Sequence, residues 1–242
     1  MKILSLGNSF STDATAYLYG LATAAGKEVR TVNLAVAGCS LERHMQGVRE
    51  HAAPYELYVN GEATRSEVSF HEILSRDTWD VITLQQASRF GTDPSTFEPF
   101  LSELLEHIRA YSPNSAVWFH QTWPYREGTE KLAAAGFSSS RDMNDALRAA
   151  ARAAAGSHSL PLIPAGEAVL LAAEAGFDGL YRDEFHLSYG AGRYLAACVW
   201  LETLFDVTAS GNPFTDTAVP LTQQERESLA TCAHEAVQRF GR

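Results

Sequence analysis

The chain has 242 residues, a formal net charge of -10 at pH 7 and 45% hydrophobic residues. This composition is typical of one globular domain with a sizeable core, and we expect a single domain over residues 1–242. The acidic balance and the lack of a run of Lys and Arg argue against nucleic acid or an anionic membrane as a partner.

The three cysteines, Cys39, Cys198 and Cys232, stand far apart and form no Cys-x-x-Cys pair. This spacing predicts neither a disulfide framework nor a zinc site, and it is typical of reduced thiols in a cytoplasm. No apolar run approaches the length of a membrane span, and the apolar start of the chain is too short for a signal peptide. We therefore expect a cytoplasmic protein that needs no metal or cofactor.

Residues 2–11 predict the site around which the chain is organised. A short apolar run ends at Gly7, Asn8 and Ser9 follow it, and helical spacing begins with Thr12. The pattern is typical of a buried strand that passes through a tight turn into a helix, and open α/β sheets bind ligands at that end of the strands. Gly7 can adopt a backbone conformation that other residues avoid, so the turn can present the Ser9 hydroxyl, which makes Ser9 a candidate nucleophile. The alternative is an ordinary turn that caps a helix.

The chain up to residue 69 predicts a βαβ opening and a hairpin. The predicted elements are a helix at 12–25, a strand at 29–34, a loop with Gly38 at 35–40 and a helix at 41–52. Residues 55–69 alternate apolar and polar around Asn60-Gly61, a strong signal for a two-residue turn. We interpret them as a small surface hairpin inserted between two strands of the sheet.

The rest of the chain continues to alternate strands and helices. Strands are predicted at 81–84, 116–119 and 160–163, and helices at 94–111, 138–155, 165–175, 188–205 and 222–240. Such alternation predicts a three-layer α/β/α domain with a mainly parallel, five-stranded, flavodoxin-like sheet.

A second informative stretch holds Asp183 and His186, three residues apart in a loop before an apolar helix. A serine nucleophile needs a base to take its proton, and the base works better when a carboxylate orients it. Asp183 and His186 could supply both groups to Ser9 from one turn of chain. The alternative is a surface loop in which Ser188 caps the helix.

Acyl transfer also needs donors for a developing oxyanion. The N–H groups of Ser9 and Gly38 are candidates, and the side-chain amides of Gln85 and Gln86 follow the third predicted strand at the same edge. We prefer Gln85 as a third donor and keep Gln86 in reserve. Alternatively, each glutamine is hydrogen-bonded by neighbouring backbone.

Three residues are candidates for binding substrate. Asn8 lies beside Ser9, whereas Trp123 and Tyr125 follow the fourth predicted strand and could stack on a sugar face, although such residues also simply fill loops. His44 and His71 are interpreted as surface residues of helices.

The motifs together resemble the SGNH/GDSL hydrolases, and most closely a bacterial branch known mainly as a domain of unknown function. The resemblance rests on four blocks in the family's order, Gly7-Asn8-Ser9-Phe10-Ser11, Ala37-Gly38-Cys39-Ser40, Leu84-Gln85-Gln86-Ala87-Ser88 and Asp183-x-x-His186. It implies metal-free ester hydrolysis through an acyl-enzyme, with Ser9, His186 and Asp183 as the triad. The chain departs from the family in having Gly-Asn-Ser for Gly-Asp-Ser, and glutamines where the third block normally contributes Asn.

These observations favour a serine esterase that acts on a small-molecule ester, with acetyl on a carbohydrate as the preferred substrate. Two alternatives stay open. One is a non-catalytic module that binds a carbohydrate or another small molecule on the same fold, and the other is a hydrolase of lipid esters or thioesters.

Overall fold

The computed structural model describes residues 1–241, apart from the side chains of Arg65 and Ser66. Its strands are β1 (Lys2–Gly7), β2 (Arg30–Ala35), β3 (Tyr55–Val59), β4 (Glu62–Val68), β5 (Val81–Leu84), β6 (Ala116–His120) and β7 (Leu162–Ile163). Its helices are α1 (Ser9–Thr15), α2 (Leu18–Ala24), α3 (Leu41–Arg49), α4 (Phe70–Arg76), α5 (Phe100–Tyr111), α6 (Glu130–Ala134), α7 (Ser140–Ser157), α8 (Ala165–Glu174), α9 (Ala191–Phe205) and α10 (Gln223–Phe240).

The strands form one sheet in the order β4-β3-β2-β1-β5-β6-β7. Five neighbouring strands of this sheet, β2-β1-β5-β6-β7, are parallel, and their order is that of flavodoxin-like sheets. The predicted α/β class and parallel arrangement are therefore confirmed.

The hairpin differs from its prediction. β3 pairs antiparallel with β2, from Val32 opposite Val59 to Ala35 opposite Glu56, and β4 pairs with β3. The sheet therefore has seven described strands instead of five, because the backbone groups at the free edge of β2 are paired by the hairpin. The turn itself follows the prediction, with φ of 54° at Asn60 and 88° at Gly61, as a tight two-residue hairpin turn requires.

Helices cover both faces of the sheet and create two cores. One core joins Ile3 of β1 to buried residues of α1, α2, α8, α9 and α10. The other joins Leu4 and Leu6 of the same strand to α3, α4, α5 and the second half of α7. Alternate residues of β1 therefore point to opposite faces, as the period of a strand requires.

The helix predicted over 12–25 is divided into α1 and α2. The backbone leaves helical geometry at Tyr17, where φ is -112° and ψ is 1°. The hairpin turn packs at this break so closely that a Cβ on Gly61 would lie 2.4 Å from the carbonyl oxygen of Ala16. We attribute this break to the packing of the hairpin against the helix, because the local sequence does not predict it.

The sequence predicts no bounds for the two short helices α4 and α6, although His71 of α4 is expected on a helix, because seven and five residues are too few for a clear amphipathic pattern. The helix predicted over 94–111 begins only at Phe100, after a short 3₁₀ turn at Pro94–Thr96. Among the described residues, no helix is long and apolar enough to cross a membrane.

The carboxyl ends of β1, β2, β5 and β6 lie at one edge of the sheet, and the candidate site is built there.

Candidate active site

Ser9 is the first residue of α1, directly after β1. Asn8 caps this helix, because its side-chain Oδ1 accepts a hydrogen bond from the Phe10 N–H at 2.9 Å. Gly7 precedes the turn, and a Cβ there would lie 2.5 Å from Ser11 Oγ. Gly7 is therefore needed for space, and not for the unusual backbone conformation that the sequence suggested.

Ser9, His186 and Asp183 lie together although 177 residues separate the first two. His186 Nε2 lies 2.9 Å from Ser9 Oγ, and His186 Nδ1 lies 2.7 Å from Asp183 Oδ2. The other carboxylate oxygen of Asp183 accepts the backbone N–H groups of Phe185 at 2.9 Å and His186 at 2.7 Å. The three side chains thus form the hydrogen-bonded chain that the sequence predicts.

Asp183 is held in its ionised form. Partial burial raises its pKa, but the N–H groups of His186 and Phe185, together with the His186 ring, outweigh this effect and lower the pKa to about 2. A carboxylate that stays charged at neutral pH fixes the imidazole with Nδ1 protonated. The Nε2 atom that faces Ser9 is then free to accept a proton.

Asp13 of α1 ties the loop that carries His186 to the helix that carries Ser9. Its side chain is fully buried, and it binds Arg182 at 2.9 Å and Arg193 at 2.8 Å. Its Oδ2 also accepts the backbone N–H of Leu187 at 3.1 Å, next to the base. Asp13 is not among the site residues predicted from the sequence, and its one sequence signal is the pair of arginines, Arg182 and Arg193, around the Asp183-x-x-His186 motif.

Gly38 lies in a tight turn at the end of β2. Cys39 N–H donates to the Val36 carbonyl at 3.1 Å, and Gly38 has a φ of +60°, which favours glycine. Asn8 Nδ2 holds this turn by donating to the Cys39 carbonyl at 3.0 Å. No described residue accepts a hydrogen bond from the N–H of Ser9 or of Gly38, and both residues line the same cleft.

The two glutamines do not face this cleft, so the prediction that one of them donates to an oxyanion is wrong. Gln85 is buried, with Nε2 donating to Asn8 Oδ1 and Oε1 bonded to His120 Nδ1, both at 2.9 Å. Gln86 is also buried, and its Nε2 donates to the Thr96 carbonyl at 2.9 Å while its Oε1 accepts the Leu41 N–H. Each side-chain amide forms hydrogen bonds within the protein, as buried polar groups usually do.

The three candidate substrate-binding residues differ in how they lie relative to the cleft. Asn8 is buried and uses both polar side-chain atoms to hold backbone, so it positions the Gly38 turn instead of contacting substrate. Trp123 is fully buried, stacks on Phe10 with ring centroids 4.4 Å apart and donates to the Phe185 carbonyl, so it supports the site from below. Tyr125 borders the cleft, as Asn8 does, but it is only 3% exposed, and its hydroxyl lies 3.2 Å from Ser88 Oγ.

His44 is not a surface residue as predicted. It is buried on α3 with Nδ1 2.9 Å from the Tyr55 hydroxyl and 3.3 Å from Cys39 Sγ, and burial lowers its pKa to about 3. A ring that is neutral at physiological pH can be buried there at low cost. His71 is half-buried and packs edge-on against Tyr111.

The cleft beside Ser9 has a volume of about 470 Å³. It is lined by Asn8, Ser9, Phe10, Ala37, Gly38, Ala87, Ser88, Arg89, Tyr125, Lys131, Arg182, Phe185 and His186. Aromatic and cationic side chains thus surround the Ser9 hydroxyl, and the part of the chain that the structure describes has no cluster of three or more His, Cys, Asp or Glu residues suited to a metal.

Comparison with known families shows which family the chain belongs to. Residues 2–236 match the family described as Domain of unknown function (DUF4886). The chain belongs to the DUF4886 family. The chain is also a member of the SGNH/GDSL superfamily, as its sequence motifs suggested, because a 29% identical structure proposed to be an SGNH hydrolase shares its fold.

Solved structures resemble this DUF4886 protein over most of its length. A DUF4886 family protein from Bacteroides uniformis is 30% identical with a TM-score of 0.92, and the match covers 100% of this chain and 96% of the other. A protein from Slackia heliotrinireducens, proposed to be an SGNH hydrolase, is 29% identical with a TM-score of 0.61 over 84% of this chain and 97% of the other. An acetylxylan esterase from Geobacillus stearothermophilus shares the fold at 15% identity, with a TM-score of 0.55 over 83% and 92%. No curated protein matches the sequence.

Proposed function

We propose that this DUF4886 protein is a serine esterase that removes a small acyl group, preferably acetyl, from a carbohydrate or a similar polar alcohol. The observation that carries the proposal is the continuous chain of hydrogen bonds from Ser9 Oγ through His186 to Asp183, at 2.9 and 2.7 Å. Such a chain turns a weakly nucleophilic hydroxyl into one that attacks esters.

Catalysis proceeds in two halves. His186 Nε2 takes the proton of Ser9 as Oγ bonds to the ester carbonyl carbon, and then donates this proton to the departing alcohol as the C–O bond breaks. A water molecule next gives a proton to His186 and attacks the acyl-enzyme, which releases the acid and restores Ser9. Asp183 stays ionised throughout and stabilises the imidazolium in each half.

Two backbone donors receive the negative charge that develops on the carbonyl oxygen. Ser9 and Gly38 line the cleft, and their N–H groups have no partner among the described residues, which supports assigning them to an oxyanion. Donors that are fixed before the reaction begins contribute about 3 kcal/mol each to transition-state stabilisation. The Gly38 turn is fixed by Asn8, which is itself held by Gln85.

The lining of the cleft supports a small, polar substrate. Phe185 adds a partly exposed aromatic ring, Tyr125 is only 3% exposed and adds little surface, and Arg89, Lys131 and Arg182 bring positive charge. A long acyl chain would need an extended apolar groove, whereas three cationic side chains line this cleft. The lipid-ester alternative is therefore disfavoured.

The proposal is tested by covalent labelling of the nucleophile. We expect a fluorophosphonate to add once to the wild-type protein, at Ser9, as measured by intact-mass spectrometry and peptide mapping. Ser9→Ala should remain unlabelled and should hydrolyse 4-nitrophenyl acetate about 10⁴-fold more slowly or worse. Ser157→Ala, an exposed serine at the end of α7, is the matched control and should behave as wild type.

A folded wild-type protein that gains no adduct would contradict the esterase mechanism. That outcome would favour the alternative in which the same cleft only binds a small molecule. An adduct that persists in Ser9→Ala would assign the reactive group to another residue and would equally overturn the proposal.

A further inference from the structure

The cleft beside Ser9 is positively charged although the chain as a whole has a net charge of -10. Its lining includes Arg89, Lys131 and Arg182 and contains no Asp or Glu. Arg182 is neutralised by Asp13, its buried partner. Arg89 and Lys131 form no ion pair with a carboxylate among the described residues, so two positive charges at the cleft are left without a counter-charge.

Lys131 is held over the cleft by aromatic rings. Its Nζ lies 4.4 Å from the ring centre of Phe185 and 5.3 Å from that of Tyr125, and both rings line the cleft. The nearby Glu184 carboxylate accepts the backbone N–H of Lys131 at 3.1 Å and does not pair with the ammonium. Contacts with two ring faces restrict a flexible side chain, which is useful for recognition and costs side-chain entropy.

Arg89 also lines the cleft, directly after Ser88 in the chain. Its guanidinium stacks 4.7 Å above the ring centre of Phe90, which leaves its N–H groups free to bind oxygen atoms. Burial raises the pKa of the Cys39 thiol to about 11, and the charges of Arg43 and Arg89 oppose that rise. The Arg89 charge is thus felt at the Gly38-Cys39 turn, next to the proposed oxyanion site.

The positive charge is confined to this side of Ser9. A neighbouring pocket of about 330 Å³ also reaches Ser9, but Glu56 and Asp13 line it together with Arg182 and Arg193. Charges are therefore balanced there, and they are unbalanced in the cleft that holds Gly38 and His186. A site that concentrates unpaired cations in an acidic protein is suited to an anionic ligand.

We infer that Arg89 and Lys131 bind a carboxylate of the substrate, so that the enzyme prefers acid-bearing esters to neutral ones. The inference rests on the proposed esterase function and specifies its substrate class. The planar fork of Arg89 matches a carboxylate, and Lys131 supplies a second positive charge to the same cleft. The carboxylate belongs either to the alcohol part, as in an acylated uronic acid, or to the acyl part, as in the half-ester of a dicarboxylic acid.

Matched substrate pairs test the inference and separate these two sources. For the alcohol part, kcat/KM is compared between 3-acetoxybenzoate and 3-acetoxybenzamide. For the acyl part, it is compared between mono-4-nitrophenyl adipate and its methyl ester. We expect the wild-type enzyme to favour the anionic member of at least one pair about tenfold, and the preference to fall as salt rises.

The double variant Arg89→Gln/Lys131→Gln is expected to bring that ratio to within about twofold of unity, since each cation contributes to the same anion. The measured quantity is the ratio of kcat/KM between the anionic and the neutral substrate, so a general loss of activity in the variant does not change it. Arg109→Gln is the control, because Arg109 is exposed in the last turn of α5, at the far end of the sheet, and should keep the wild-type ratio.

The outcomes distinguish the inference from the function on which it rests. If Ser9 is labelled by the fluorophosphonate and neither pair shows an anionic preference, or the double variant keeps that preference, the carboxylate site is overturned while the esterase stands. If Ser9 is not labelled, the esterase fails, and binding of glucuronate is measured by ligand-observed NMR. Binding that the double variant loses would support the carboxylate site, and no binding to the wild type would overturn it.

Discussion

At the scale of single residues, the side chain of Asp13 connects the two halves of the candidate triad. It is fully buried on α1, four residues after Ser9, and its partners Arg182, Leu187 and Arg193 surround His186 in sequence. Removing one member of a buried ion network leaves the others desolvated and unpaired, which is more costly than losing a surface pair. Both stability and alignment of the base therefore depend on this carboxylate.

We expect Asp13→Asn to lower the free energy of unfolding by about 2–3 kcal/mol, since its two arginines are only partly buried. The kcat for 4-nitrophenyl acetate should fall about tenfold or more, because the loop that holds His186 loses its anchor. Urea unfolding and steady-state kinetics measure the two effects. Asp145→Asn, which removes an exposed partner of Arg148, is the control and should change stability by less than about 0.5 kcal/mol. An unchanged kcat in folded Asp13→Asn would show that this anchor does not align the base.

The residues that the sequence identifies differ from those that it does not in how far their roles depend on distant partners. Ser9, Asp183 and His186 stand out because their chemistry requires those residue types, whatever lies around them. The glutamines were misread because a buried amide is used by whichever neighbour folding brings to it, and Gln85 meets His120 from another strand. Asp13 has the same dependence on distant partners, which no local pattern shows.

At the scale of elements, the hairpin β3–β4 and the helices α1 and α2 are packed through one glycine. Gly61 has a φ of +88°, and an added Cβ would meet the Ala16 carbonyl oxygen at 2.4 Å. The break between α1 and α2 exposes that carbonyl to the turn. The sequence predicts the hairpin from Asn60-Gly61 because turn chemistry is local, but it cannot show that the turn ends one helix and begins another.

Gly61→Ala is expected to destabilise the protein by about 2–4 kcal/mol, since the new methyl group is both strained and in collision with backbone. Gly128→Ala provides the matched control, because Gly128 also has a positive φ, +71°, but its added Cβ would meet nothing within 4 Å. Its cost should be about 1 kcal/mol, from strain alone. Thermal or urea unfolding of both variants separates the cost of backbone strain from the cost of the collision. Equal decreases in the free energy of unfolding would contradict the close approach of the hairpin to α1.

At the scale of the whole molecule, two buried histidines make stability depend on pH. Burial lowers the pKa of His44 and of His120 to about 3 each, and the Nε2 atom of each has no hydrogen-bond partner among the described residues. Between that value and the ordinary histidine pKa near 6.5, the unfolded chain binds protons that the folded protein does not. Their contribution to stability is complete above about pH 6.5 and is lost as the pH falls toward 3.

We therefore expect the free energy of unfolding to fall by about 2 kcal/mol per buried histidine between pH 7 and pH 5. Urea unfolding at a series of pH values measures this slope. His44→Gln and His120→Gln should each reduce the slope by about half, whatever their effect on stability at pH 7. A slope unchanged in both variants would assign the pH dependence to other groups.

The position of the hairpin has a consequence for how the folded chain behaves among its copies. A sheet with a bare parallel strand at its margin offers a row of unpaired backbone groups to a neighbouring molecule. Here β2 is covered, β4 at the margin exposes Glu62 and has an irregular backbone at Glu67, with φ of 60°, and the opposite margin, β7, is only two residues long. Each margin is therefore a poor template for strand addition, so this fold resists growth into fibrils.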